Sequence, residues 1–320
     1  MHHYTVTVAL PGETQLDEVE KNLAGALEPF NKEKEVEQAT DPLGRTYWTN
    51  PAGRWDWYLI GGRWSHHLPI RAGADPADPA DLIFGSRSWG NTHAILDPTF
   101  CDGGRIRALD LERKRAAQAK KALADWNDYA AVIAGTPQHQ AWETFSTRAK
   151  EAEQAASRPW HEFYTEAKAK ARANAGLGDN AAPDDTADRY SALLDEEMDR
   201  ARAAWNTSLA YSFDQAKRDY QAQPRIAALR AHEAYRGRGM NPPEREFGDL
   251  DRDTYIQQCR DQAIPGYATL THDGRWLSAD MPWVPSSDDR ARHAAHLIEV
   301  NTYLDSLADN MILILVDCHT

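Results

Sequence analysis

Residues 311–316 read Met-Ile-Leu-Ile-Leu-Val, an apolar run with no polar interruption. Six residues are too few for a buried helix but suit a strand covered on both faces, so a sheet must surround them. The chain just upstream supplies only part of it. Residues 267–271 and Trp276-Leu277 flank Asp273-Gly274 as a hairpin would, and residues 288–307 carry a helical pattern. The remaining strand-forming sequence lies at the other end of the chain.

There, residues 4–10 alternate with the period of a half-buried strand until Pro11-Gly12 breaks it. Leu16, Val19, Leu23, Leu27 and Phe30 then form a stripe at helical spacing, with Thr14 as the expected N-cap. Thr46-Tyr47-Trp48 and residues 56–60 favour strands, and turn residues at 50–53 predict a hairpin or two consecutive sheet strands. Residues 72–81 combine Gly, Asp and Pro and predict an exposed loop.

Between the ends the character changes. Residues 109–235 are dominated by Ala, Glu, Lys, Arg and Gln, and Pro137, Pro159, residues 176–185 and Pro224 divide them into four or five expected helices. No heptad or internal repeat runs through them. The expectation is an α+β fold: a discontinuous domain of residues 1–108 and 236–320, with residues 109–235 inserted as a helical arm or subdomain. Strand-helix-strand at both ends is compatible with a ferredoxin-like sheet. A separate N-terminal domain is the alternative, but it leaves the last strand without a sheet.

The 320 residues, 42% of them hydrophobic, are enough for a globular core, and 36 Lys+Arg against 49 Asp+Glu give a net charge of -13. Such a balance argues against non-specific nucleic acid binding over most of the surface. No stretch has the apolar length of a membrane span and the first residues lack signal-peptide features, so a cytoplasmic location is expected. Cys101, Cys259 and Cys318 are odd in number and widely spaced, and read as reduced thiols. His2-His3 is too short to insist on a tag.

Residues 55–64, Trp-Asp-Trp-Tyr-Leu-Ile-Gly-Gly-Arg-Trp, are the segment least explained by folding alone. Aromatic rings offer stacking surface and a guanidinium offers a planar fork of donors, a pairing suited to a flat or anionic group. Strand alternation predicts Trp55, Trp57 and Leu59 on one face and Asp56, Tyr58 and Ile60 on the other. Gly61-Gly62 either lets a ligand approach the backbone or makes a tight turn or bulge. Asp56 either orients Arg63 or a polar ligand, or forms a structural ion pair with Arg63 at the sheet end. The pattern is neither a dinucleotide nor a Walker fingerprint.

Other candidates are weaker. His66-His67, meeting Asp317, Cys318 and His319, would offer nitrogen, sulfur and oxygen to zinc or iron, but the spacing specifies no metal and none is assigned. His293, His296 and Glu299 have helical spacing, yet Glu299 turns away from His293, which favours a solvated face. Cys101 precedes Gly103-Gly104, with Arg105 placed to lower its pKa, but no general base accompanies it. Neither a nucleophile elbow nor a His-Glu-x-x-His motif is present, so no reaction or cofactor is assigned.

The Asp56-Trp57-Tyr58-x-x-Gly61-Gly62-Arg63-Trp64 motif, the Asp-Gly-x-Trp turn at residues 273–276 and the terminal Val316-Asp317-Cys318-His319 together resemble a group of uncharacterised bacterial and bacteriophage proteins. The resemblance covers the two ends and not the central helices. It implies that the ends belong together and that an accessory role of phage or actinobacterial type suits the chain; it transfers no catalytic residue.

The functional expectation is an accessory protein that binds a small polar or nucleotide-like ligand. Its site would comprise Asp56, Trp57, Tyr58, Gly61, Gly62, Arg63 and Trp64 with Asp317, Cys318 and His319. Two alternatives are a protein-interaction module acting through the helical arm and an enzyme using Cys101, Cys318 or His319 at the same pocket.

Overall fold

The computed structural model describes residues 3–41, 44–74, 81–87, 97–177, 187–235, 246–248, 250–279 and 287–320. The fold is mixed α/β, with sheet strands drawn from both chain ends. Its strands are β1 (His3–Leu10), β2 (Glu37–Thr40), β3 (Thr46–Thr49), β4 (Trp57–Gly62), β5 (Leu68–Pro69), β6 (Leu82–Ile83), β7 (Ser86–Arg87), β8 (Phe100–Cys101), β9 (Gly103–Arg105), β10 (Ala268–Leu270), β11 (Trp276–Ser278) and β12 (Ile312–His319). The main sheet runs β11-β10-β1-β12-β4-β7, and β9, itself paired with β6, lies against the other half of the β12 edge that β4 occupies.

The apolar run is the middle of this sheet. β12 pairs antiparallel with β1 from His3↔His319 to Leu10↔Ile312, and antiparallel with β4 from Val316↔Ile60 to His319↔Trp57. The strand therefore continues past Val316, because Asp317, Cys318 and His319 keep partners on both sides. Helix α1 (Val19–Leu27) connects β1 to the β4 end of the sheet, and β1 and β4, both antiparallel to β12, flank it as a split β-α-β unit. At the other end of the chain a helix spanning Ser287–Asp305 connects β11 to β12, with β10 and β1 between those strands.

Alternation along the strands builds two cores. Val6, Val8, Leu10, Ile312, Ile314, Val316 and Cys318 pack against Val19, Leu23 and Leu27 of α1. Ala9, Leu313 and Leu315 face the opposite way and pack with Val300, Leu304 and Leu307. Burying a Leu, Ile or Val side chain contributes about 1.5 to 3 kcal/mol, which is why this strand fixes the register of its neighbours.

Three local expectations change. The helix after β1 begins as a 3-10 turn at Leu16–Glu18, and Thr14 is not its N-cap; its own N–H instead donates to Pro11 O in the turn. β3 pairs with β2 in a separate hairpin and not with β4, since strand propensity specifies an extended backbone but not its partner. Trp55 joins the α1 face with Tyr58, their rings 5.0 Å apart, because the chain bends at Asp56 and regular alternation begins only at Trp57. The expected loop at residues 72–81 falls largely outside the described residues, as does most of 236–246.

By internal packing the chain forms two compact units, Met1–Trp126 with Asp249–Thr320 and Asn127–Gly248. The first boundary falls inside a helix at Leu111–Ala134 rather than ahead of it. Within the second unit, helices at Trp142–Gln154, Trp160–Ala175, Ala187–Ser208, Phe213–Ala222 and Pro224–Ala231 follow the proline punctuation, with Pro224 in the first turn where its missing N–H is harmless. Ala167, Ala171 and Ala175 form a buried stripe at four-residue spacing on one of these helices.

Candidate functional site

β1, β12 and β4 set His3, His319 and Trp57 in one cross-strand row at the end of the sheet. All three project to the face opposite α1, as does Asp317 one row inward. The His3 Nδ1 lies 2.9 Å from Asp317 Oδ1, and the His319 Nδ1 lies 2.6 Å from Asp56 Oδ1. The two imidazoles stand edge to face, their ring centroids 5.1 Å apart. A carboxylate only accepts, so each neutral ring must carry its proton on Nδ1 and leave a lone pair on Nε2. The Nε2 of His319 is buried and has no hydrogen-bond partner among the described residues. Trp57 sits beside the pair, 45% exposed and 6.0 Å from His3.

Asp317 does more than orient His3. Its second oxygen accepts the backbone N–H of Arg63 at 3.0 Å, although its side chain is fully buried. A second buried carboxylate, Asp102, accepts from the backbone N–H groups of His66 and Gly85 and from the Ser65 hydroxyl. The turn between them is Gly61-Gly62, with φ of 73° and 54°. A Cβ on Gly61 would stand 2.7 Å from the Asp102 carboxylate, and one on Gly62 would overlap Asp317. The double glycine thus admits two of the protein's own carboxylates, and the space beside its backbone is already filled. Trp64 closes the turn by donating its N–H to Gly61 O at 3.0 Å.

The expected site residues separate accordingly. Asp56, Trp57, Asp317, His319 and the Arg63 backbone come together, whereas Tyr58 and Cys318 point to the α1 core. Tyr58 there borders a cleft of about 950 Å³ with Leu16, Glu20 and Phe84, and Cys318 is wholly buried. Arg63 makes no ion pair with Asp56, whose partner is His319; the Arg63 side chain is exposed. His3 belongs to the site although sequence reasoning left it out. The available signal was alternation: His3, Thr5 and Thr7 are the polar positions of a strand whose Tyr4, Val6 and Val8 are core.

The thiol candidates do not survive burial. Burial pushes the Cys101 thiol up to about 12, and burial followed by the neighbouring Asp317 charge raises Cys318 still further. Arg105, expected beside Cys101, instead donates to the carbonyls of Gly12, Thr14 and Asn310. Ser65, His66 and Asp102 are adjacent but form no relay: Ser65 Oγ lies 3.1 Å from His66 Nδ1, and Asp102 faces that same nitrogen at 3.9 Å. A nucleophile triad needs the serine and the carboxylate on opposite ring nitrogens. Burial lowers the pKa of His293 and His296, which are partly buried rather than on the open helix face expected, and Glu299 turns to Arg275. Among the described residues no three His, Cys, Asp or Glu side chains cluster as metal ligands, so the combination of His66-His67 with the chain end is not assembled. Among the described residues no helix is long and apolar enough to cross a membrane.

No family model matches the chain, and no curated protein or solved structure matches it either.

Proposed function

We propose that the His3/His319/Trp57 end of the sheet recognises a small polar ligand with a planar or anionic part, in an accessory protein of the kind the motif resemblance implies. The observation that carries this reading is the pair of imidazoles, each keyed by its own carboxylate and set beside an exposed indole. The Asp317 contact fixes the Arg63 backbone at the same end of the sheet, and the Arg63 side chain is exposed. An indole contributes a stacking surface and a guanidinium a fork of donors, while the imidazoles supply directional nitrogen contacts.

Thermal-shift screening against nucleotides, inorganic phosphates and small carboxylates tests the reading, because a ligand of the native state raises its melting temperature by mass action. The expected result is a concentration-dependent rise that Trp57→Ala and Arg63→Ala each diminish. A hit unaffected by both substitutions would move recognition elsewhere, with the cleft beside Tyr58 the first place to look.

A further inference from the structure

We infer that His3 and His319 form a two-imidazole site for a divalent late transition ion such as Zn²⁺, with its remaining coordination positions open. The inference does not rest on the ligand reading above, since it concerns the ion alone.

Three observations converge on it. First, the rings are suitably spaced: two imidazoles bound to one tetrahedral ion at the usual Zn–N distance have centroids about 5 Å apart, and these stand 5.1 Å apart with their planes at 67°. Second, each ring offers the correct nitrogen. A metal-binding histidine characteristically donates its other ring N–H to a carboxylate, which sets the tautomer and makes the free nitrogen more basic. Here Asp317 takes the Nδ1 of His3 and Asp56 takes that of His319, leaving both Nε2 atoms for coordination. Third, His319 Nε2 is buried and lacks a hydrogen-bond partner among the described residues, a state that is costly for a polar atom unless something else occupies it.

The formal charge agrees. Neutral imidazoles backed by the carboxylates of Asp56 and Asp317 present net negative charge to an ion, and imidazole nitrogen suits zinc, copper and nickel over magnesium or calcium. The Asp56 and Asp317 carboxylates are engaged with the Nδ1 atoms, and among the described residues no group of three His, Cys, Asp or Glu side chains is placed to hold an ion, so the ion would retain water or take an external ligand atom. That arrangement differs from a closed, four-ligand structural zinc site.

The test is titration of the full-length, chelator-treated protein with Zn²⁺ by calorimetry, with Co²⁺ absorption as an independent report of nitrogen coordination. One ion per chain is expected. His3→Ala and His319→Ala should each weaken binding at least tenfold, His2→Ala should leave it unchanged, and Asp56→Asn should weaken it by about 10- to 100-fold through the orienting carboxylate. Circular dichroism and the more conservative His319→Gln guard against a folding defect passing for lost affinity. Absence of binding to the native protein, or equal affinity in native protein, His3→Ala and His319→Ala, would overturn the site. Loss of binding in His2→Ala would overturn it as well, by assigning the ion to the chain terminus.

Discussion

Asp317 accepts the backbone N–H of Arg63 across 254 positions of sequence, so the last strand holds the double-glycine turn in place. The same carboxylate orients His3. One buried group thereby couples the motif in residues 55–64 to both chain ends, and several consequences can be measured.

Gly62→Ala should destabilise the protein by about 2 to 5 kcal/mol, the sum of left-handed backbone strain and overlap with a buried side chain. Gly61→Ala should act similarly through Asp102. Urea denaturation monitored by tryptophan fluorescence reads both; midpoints matching the native protein would mean that the turn relaxes freely and that the carboxylates do not confine it.

Arg63 and Asp102 should behave oppositely. Arg63→Ala removes an exposed side chain without an ion-pair partner at Asp56 and should change stability by no more than roughly 0.5 kcal/mol. Asp102→Ala strands the N–H groups of His66 and Gly85 and should cost about 1 to 3 kcal/mol for each. Comparable losses in the two variants would contradict the division between presented and structural residues.

The cysteines provide a test without mutation. Cys101 and Cys318 are buried with raised thiol pKa values, and Cys259 is only partly buried. At most one thiol of the native protein should react rapidly with a disulfide reagent at mildly alkaline pH, with all three reacting after denaturation. Rapid native reaction of two or three would show that the sheet faces open readily.

Lys114 carries the pH prediction. Burial lowers its pKa from 10.5 to about 8, and its ammonium donates to His67 O at 2.6 Å. The folded value lies below the unfolded one, so this group adds stability as pH rises from about 8 toward 10.5; below that window Lys114 is charged in both states. Acetylation mapped by mass spectrometry should show Lys114 modified with a midpoint near pH 8. A profile rising only near the ordinary lysine value would contradict the lowered pKa.

How much was legible in the sequence depended on whether the deciding contact was local. The run at 311–316 fixed a buried central strand, and Pro224 and the Asp273-Gly274 turn fell where backbone chemistry requires them. Partner choice was not local: the extended residues 46–49 gave no sign that they pair with polar Glu37–Thr40 and not with β4. The bend at Asp56 reversed the predicted face of Trp55, because alternation reports orientation only within a regular strand. Asp102 proved to be a buried acceptor of contacts from His66 and Gly85, 36 and 17 positions away, which no local pattern announces. His3 entered the site through strand register, a property of the assembled sheet.

The most direct test of the paired, carboxylate-keyed imidazoles is long-range proton–nitrogen NMR of histidine side chains in metal-free protein, at a pH where both rings are neutral. His3 and His319, assigned by single substitution, should show a protonated Nδ1 and an unprotonated Nε2. A protonated Nε2 on either ring would contradict the account, since that ring could then neither donate from Nδ1 to its carboxylate nor offer the lone pair on which the site depends.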